Sequence, residues 1–526
     1  MTLQFGLVAL DIVSSWVRMV LALGLSILFA LAIGILAARN RRAEAVILPL
    51  LDIFQSIPIL GFFPVVILGI YGAIPNFVGA NIAVIVLIFT SMSWNIAFGV
   101  YEAVKAIPQD YLDLLDVSKS SSWERIKNLY IPASMSRIAY NTQISWAVGL
   151  FFLVASEIIV VGTSTGSLQI PIPYGIGIGA TYFPANNDYA DYALLIGGIV
   201  VAVIVWRYLF LRAFALWSEK YKMMEEPRET HWDPITRFYS WVNHRAISKL
   251  FLLTHDVGVS RFSSTIARFR RGLKYAVLIF LVLFGLLLFS SIASSGDLTL
   301  SHLPSAAQLV GAEANVLVNL GASFVRVWYV YGICAAIGLP LGIAISLSFK
   351  LYDTASPVLE VFSSIPAPIL LPAIVLIPVI GHAPEAVAAI VMMLAIIWYI
   401  IFNVMAGVRT LPADLKSLPN VYHVGRWAAW RNVYIPGALT GFVTGSITAI
   451  GGAWNALIIA EYFTAGTTTT QVGVGIGKLI VIDTATGQNL SLALAILTMT
   501  ALIVVFNLTV WRRVYHRVTK RYTYNR

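Results

Sequence analysis

Between Asp52 and Glu102 the chain carries no charged residue. One helical bilayer crossing needs ~20 mostly apolar residues, so this stretch exceeds two crossings. Further charge-free runs lie between Glu157 and Asp188, Arg431 and Glu461, and Asp483 and Arg512. The whole chain of 526 residues is 59% hydrophobic and 11% charged, where a soluble domain is ~25% charged. Lipid offers no hydrogen-bond partner to an open backbone, which leaves helices or closed barrels. The runs are continuous and lack the ten-residue alternation of a barrel strand. The chain reads as an all-α polytopic membrane protein.

The formal net charge is +10. Basic residues in such a protein mark cytoplasmic loops, so a lipid surface is the expected partner and no nucleic acid is. Cys334 is the one cysteine, which excludes an intrachain disulfide and a cysteine-based metal cluster. The N-terminus lacks a basic start and a small-residue cleavage site, so targeting is expected to rest with the first span.

Eleven spans are expected, at about 15–37, 46–70, 77–100, 138–161, 192–217, 275–293, 316–347, 356–380, 386–404, 439–463 and 490–511. Residues 218–272 are dense in Lys and Arg and read as a basic cytoplasmic linker with amphipathic pieces on the membrane surface. The chain then divides into a first unit, 1–217 with five spans, that linker, and a second unit, 273–526 with six. Placing the Arg39–Arg42 loop in the cytoplasm and alternating puts the linker, the basic tail and two polar islands inside. The last outer loop then holds Lys478, and the other outer loops hold almost no Lys or Arg. This predicts a multi-pass protein of the cell (inner) membrane, N-terminus outside and C-terminus cytoplasmic.

The polar islands, Leu112–Ala133 and Lys416–Gly437, are copies of each other. A displacement of 304 residues carries Trp123 onto Trp427, Tyr130-Ile131-Pro132 onto Tyr434-Ile435-Pro436, and Trp94 onto Trp398. A displacement of 308 carries Ser56, Pro58 and Pro64 onto Ser364, Pro366 and Pro372. The first and seventh spans run in the same direction, so the halves are parallel repeats about an axis along the membrane normal, unlike inverted repeats. Two such halves can enclose a central pore. Glu157 and Glu461 are also related by 304. A carboxylate within a membrane is costly and faces a cavity or a partner. Two readings stand for this pair: a structural hydrogen bond, and contact within the pore.

The two loops, about 103–135 and 406–436, resemble the EAA loop of binding-protein-dependent ABC importer permeases. The tryptophan matches the nitrate/sulfonate/taurine-type branch. The hydrophobic-Pro ending is kept, while Asp113-Leu114-Leu115 and Ser417-Leu418-Pro419 replace Glu-Ala-Ala, and Lys119 and His423 replace a glycine. The resemblance covers about 15–215 and 315–512. It implies two parallel repeats of the type I ABC importer transmembrane fold, about 11 transmembrane helices, fused into one permease. It implies import of a small solute, an anion such as nitrate, a sulfonate, taurine or bicarbonate. Two ABC ATPase subunits, or an ATPase dimer, would sit below, and an extracytoplasmic substrate-binding protein outside. ATP and Mg would be used by the ATPase, with no cofactor and no catalytic site in this chain. By the same resemblance Asp113, Lys119, Trp123, Ile131, Pro132, His423, Trp427, Ile435 and Pro436 couple to the ATPase. Ser56, Pro58, Pro64, Ser364, Pro366 and Pro372, with Glu157 and Glu461, belong to the translocation pathway.

The alternative is a secondary transporter driven by an ion gradient, with Glu157 and Glu461 as proton carriers. Parallel repeats and paired loops speak against it. Gly473–Lys478 has the look of a phosphate loop but lacks the first glycine and has Leu479 where Ser or Thr is needed. Its glycines read as turn formers. The seven histidines show no metal-ligand spacing.

Overall fold

Pro58 has no N–H to give to a helix, and it disfavours the helical region for the residue before it. The helix entering this point therefore stops, and a new one starts beyond it. The computed structural model describes residues 4–221 and 306–518, apart from 57, 164–171, 410, 466–467, 512 and 515–516. In the first half α1 (Phe5–Arg39) is followed by α2 (Arg41–Ser56), α3 (Ile59–Ala73) and α4 (Phe77–Lys105). Then come α5 (Gln109–Val117), α6 (Ser122–Arg125), α7 (Ile131–Thr163), α8 (Ile176–Ala185) and α9 (Tyr189–Trp206).

The second half repeats this order. It contains α10 (Ala306–Leu347), α11 (Phe349–Ser363), α12 (Leu371–Val375) and α13 (Pro384–Arg409). The series continues with α14 (Ala413–Val421), α15 (Arg426–Ala429), α16 (Ile435–Glu461), α17 (Ile476–Thr486) and α18 (Asn489–Phe506). Among the described residues the strands are those of one antiparallel hairpin after α16, Tyr462–Ala465 with Thr468–Gln471, in which Tyr462 faces Gln471.

Helices α1 and α4 pack side by side and run in the same direction. Arg18 bonds Asn81 near their starts at 2.7 Å. Glu44, just past the end of α1, meets Lys105 at the end of α4 at 2.7 Å. The chain must therefore return between them, and α3 makes that return. The second half does the same: Arg326, midway along α10, meets Glu385 at the start of α13, and Arg409 at the end of α13 lies over the ring of Tyr352, just past the end of α10.

Among the described residues eight helices are long and apolar enough to cross a membrane. A ninth crossing results if Phe349–Ser363 and Ala367–Val375, bent by 74°, count as one. Ten of the expected eleven spans fall on described residues, where eight or nine helices pass the length and hydropathy test. The expected second span is two pieces, because Arg41, Arg42, Glu44 and Asp52 make α2 too polar to cross. The 15 residues of α3 reach only ~22 Å at the helical rise. The expected sixth span and the basic linker lie outside the described residues.

One apolar core is continuous through both halves and includes Leu60 and Phe63 of α3 with Leu457–Ala460 of α16. A second cluster, with Ile33, Trp94, Val100 and Tyr130, fills the end of the first half next to α5 and α6.

Candidate functional site

The copied loops have the same backbone plan. Helix α5 ends at Lys119, whose φ is 52°, and α14 ends at His423, whose φ is 49°. Ser120 N–H reaches back to Leu115 O at 3.0 Å, and Val424 N–H to Pro419 O at 2.8 Å. This is the left-handed helix stop that usually takes glycine, which explains why a glycine is usual at the matching place of the EAA loop. Each loop then turns into a short helix, α6 or α15. A wide turn with hydrogen bonds five residues back follows, Ile126–Tyr130 and Trp430–Tyr434. It lies directly ahead of Pro132 and Pro436, whose missing N–H would otherwise break the ladder there. The short helix, the wide turn and the long helix form one rod, Ser122–Ile159 in the first half and Arg426–Glu461 in the second.

The two loops differ in their side chains. Ser121 caps α6 and exchanges hydrogen bonds with Glu124. Backbone and hydroxyl of Ser121 hold the Glu124 carboxyl below the ordinary glutamate range. Arg125 fastens the loop through Asp116 at 2.6 Å and Ser120 O at 3.1 Å. Position 429 of the second loop is a buried alanine, and Gly425 caps α15 without a side chain. Trp123 is half-buried, whereas Trp427 is 76% exposed. Asp113 is exposed and accepts from Gln109 at 2.9 Å. Ile131, Pro132, Ile435 and Pro436 are half-buried at the starts of α7 and α16.

At the opposite end of the rods lie two buried ionic clusters. Glu157 and Glu461 are wholly buried, and Arg18 and Arg326 nearly so. Glu157 accepts from Arg18 at 2.6 Å, from Ser15 at 2.7 Å and from the Gly177 N–H at 2.8 Å. Glu461 accepts from Arg326, from Ser323 at 2.6 Å and from the Gly477 N–H at 2.7 Å. Ser15 and Ser323 also accept from the N–H groups of Ile176 and Ile476, both at 2.9 Å. A second carboxylate joins each cluster at a different place. Asp11 accepts from Gly175 N–H at 2.9 Å in the first half, where the second has Asn319. Glu385 binds Arg326 in the second half, where the first has Asn81.

Arg18, Arg326 and their serines were not among the expected site residues. The signal was available, because a displacement of 308 carries Ser15 onto Ser323 and Arg18 onto Arg326. The glycines of the apparent phosphate loop are also reinterpreted. Gly475 has an extended φ of 179° and forms no left-handed turn. Glycine is needed there because a Cβ on Gly475 would collide with the Glu461 carboxylate and one on Gly477 with the Ile458 backbone. Lys478 is tied to Val472 O and Gly473 O, each at 3.0 Å.

The segments after the Ser-Ile-Pro breaks lie between the halves. Helix α3 packs on α16 and α17, and residues 367–375 pack on α7 and α8. Asn455 accepts from Leu60 N–H at 3.4 Å, and Tyr192 donates to Ile369 O at 2.6 Å. Pro58, Pro366 and Pro372 are buried and Ser364 is half-buried. The side chains of Ser56 and Pro64 lie outside the described ones. Among the described residues no group of His, Cys, Asp and Glu is placed to hold a metal ion.

Residues 30–215 and 336–523 match the family described as binding-protein-dependent transport system inner membrane component. The chain belongs to this family. It carries the family domain twice, and it is a transport subunit, not an enzyme. The permease is 29% identical over 156 residues to the nitrate import permease protein NrtB of Synechocystis sp., which covers 30% of this chain and 56% of that protein. Identity to the bicarbonate transport system permease protein CmpB of Synechococcus elongatus is 30% over 156 residues, 30% of this chain and 55% of that one. Identity to the taurine transport system permease protein TauC of Escherichia coli is 26% over 153 residues, 29% and 54% of the two chains. The chain spans about half the length of the curated relatives it matches.

Proposed function

We propose that this permease forms the translocation pathway of an ATP-driven importer for a small anionic solute of the nitrate, bicarbonate or sulfonate kind. The observation that carries the reading is the pair of rods. Each starts in an exposed polar helix, α6 or α15, and continues as one helix through the body of its half. Two ATPase subunits dock under these starts and use ATP and Mg. Asp113, Lys119, Trp123, Ile131 and Pro132, with His423, Trp427, Ile435 and Pro436, form the two coupling surfaces. The Ser-Ile-Pro segments, Ser56, Pro58 and Pro64 with Ser364, Pro366 and Pro372, line the path between the halves, and Glu157 and Glu461 stand at its far end. The coupling loops face the cytoplasm, the N-terminus lies outside, and an extracytoplasmic binding protein delivers the solute to the far end. ATP binding closes the ATPase pair and shifts the pore between two states that contact it differently.

The test is uptake into proteoliposomes holding the permease, its co-purified ATPase and the binding protein. The expected result is nitrate, bicarbonate or taurine uptake that requires ATP. Uptake driven by a proton gradient without ATP would reassign the chain to the secondary transporters.

A further inference from the structure

We infer that Arg18–Glu157 and Arg326–Glu461 are positioning pairs that pass the stroke of the coupling helices to the far mouth of the pore. The inference rests on the proposed docking of the ATPase under α6 and α15. Its mechanical part begins with the rods. From Ile131 to Glu157 the helical rise amounts to ~39 Å, more than the thickness of the ~30 Å hydrocarbon layer. A helix of that length moves as a unit, so a displacement of α6 arrives at Glu157, and one of α15 at Glu461.

At that end the rod is fastened to a small helix by backbone. The carboxylate of Glu157 accepts from Gly177 N–H, and Glu461 from Gly477 N–H. The contact is close enough to require glycine: a Cβ on Gly175 would come 2.7 Å from the Glu157 carboxyl carbon, and one on Gly177 2.7 Å from Glu157 Cβ. The serines and arginines fasten the same helices to α1 and α10. The small helices then reach across to the other half. Helix α8 packs on residues 367–375, and α17 packs on α3. Each rod thus meets the segment that separates the halves on the opposite side twice, by direct packing and, through one carboxylate, by way of its small helix.

A buried ion pair is a poor source of net stability, since well-packed apolar residues often serve as well. It is a good source of directional connection, because each donor accepts one geometry. The two clusters also hold the same charges, one arginine and two carboxylates, although the third group stands on different helices: Asp11 on α1 and Glu385 on α13. The halves match in charge where they do not match in residue.

The experiment uses the full permease with its ATPase in lipid nanodiscs. Spin labels are placed at Tyr182 on α8 and at Val379, an exposed position near the start of α13, with Cys334 replaced by alanine. Glu157→Gln with Glu461→Gln is compared with the parent, and Arg18→Met with Glu157→Met serves as a packing-conserving second variant. Both are expected to keep the ATPase bound and hydrolysing. Both should lose the ATP-dependent change in label distance and lose uptake at least tenfold. An unchanged distance response and uptake would overturn the inference. Failure of both variants to yield an assembled complex would also overturn it, by making the clusters folding elements. A parent that binds no ATPase at all would instead remove the proposed function, with the clusters untouched.

Discussion

Lys119 and His423 occupy the one backbone conformation in the copied loops that L side chains disfavour, with φ of 52° and 49°. A left-handed residue other than glycine costs roughly 1–2 kcal/mol. Lys119→Gly and His423→Gly should therefore firm each loop by about 1 kcal/mol, part of it offset by the greater freedom of glycine in the unfolded chain. Slower amide exchange at Ser120 and Val424 would show it; unchanged exchange would mean that the strain is relieved elsewhere. A second effect is confined to the first loop. The folded Glu124 carboxyl titrates below its ordinary value of about 4.5. A depressed carboxylate contributes stability above the unfolded value and loses it as pH falls through the folded one. The Ser121 amide should accordingly exchange faster, relative to intrinsic rates, once pH drops below that point, while the Gly425–Ala429 turn shows no such step. Parallel behaviour of the two loops would refute this account.

At the scale of helices, the two halves solve the same packing problem with residues exchanged. Where α4 crosses α7, Gly99 faces Asn141; where α13 crosses α16, Asn403 faces Gly445, so the large residue has changed helix. At this matched pair of positions each crossing sets an asparagine against a glycine, and a Cβ on Gly445 would lie 2.9 Å from Asn403 Cβ. Gly99→Asn alone should overpack the first crossing by roughly 1–3 kcal/mol. Gly99→Asn with Asn141→Gly should recover most of that loss, in a thermal melt followed by size-exclusion chromatography; no recovery would separate the two positions. This pattern also shows what was legible beforehand. The repeat, the loops and the helix breaks were readable because Trp and Tyr-Ile-Pro recur at a displacement of 304 and the Ser-Ile-Pro breaks at 308. The ionic clusters were harder to see because they join segments whose displacements differ: 308 for Arg18 and Arg326, 304 for the glutamates and 300 for the glycines. Loops of unequal length separate these segments, so a single shift does not superpose the cluster. The hairpin after α16 had no alternating apolar pattern to announce it.

In the molecule as a whole, the halves are joined by more than apolar packing. Arg207, at the end of α9, forms an ion pair with Glu360 of α11 across the interface. Arg207→Glu should weaken that join, and Arg207→Glu with Glu360→Arg should restore it, as judged by the midpoint of denaturation of the purified permease. Both groups are partly exposed, so the effect should be modest and should shrink with added salt. An insensitive midpoint would show that the core alone sets the pairing.

The crossed placement of α3 and residues 367–375 has a consequence for assembly. Neither half can complete its own core, because each lends a segment to the other. If the halves were made as separate chains of like fold, they could associate as two first halves, two second halves or one of each. The covalent join removes that choice: it makes the meeting of the two unlike halves an intramolecular event. Every molecule then carries one Trp123 loop and one Trp427 loop, the first tied down and capped, the second open with its tryptophan exposed.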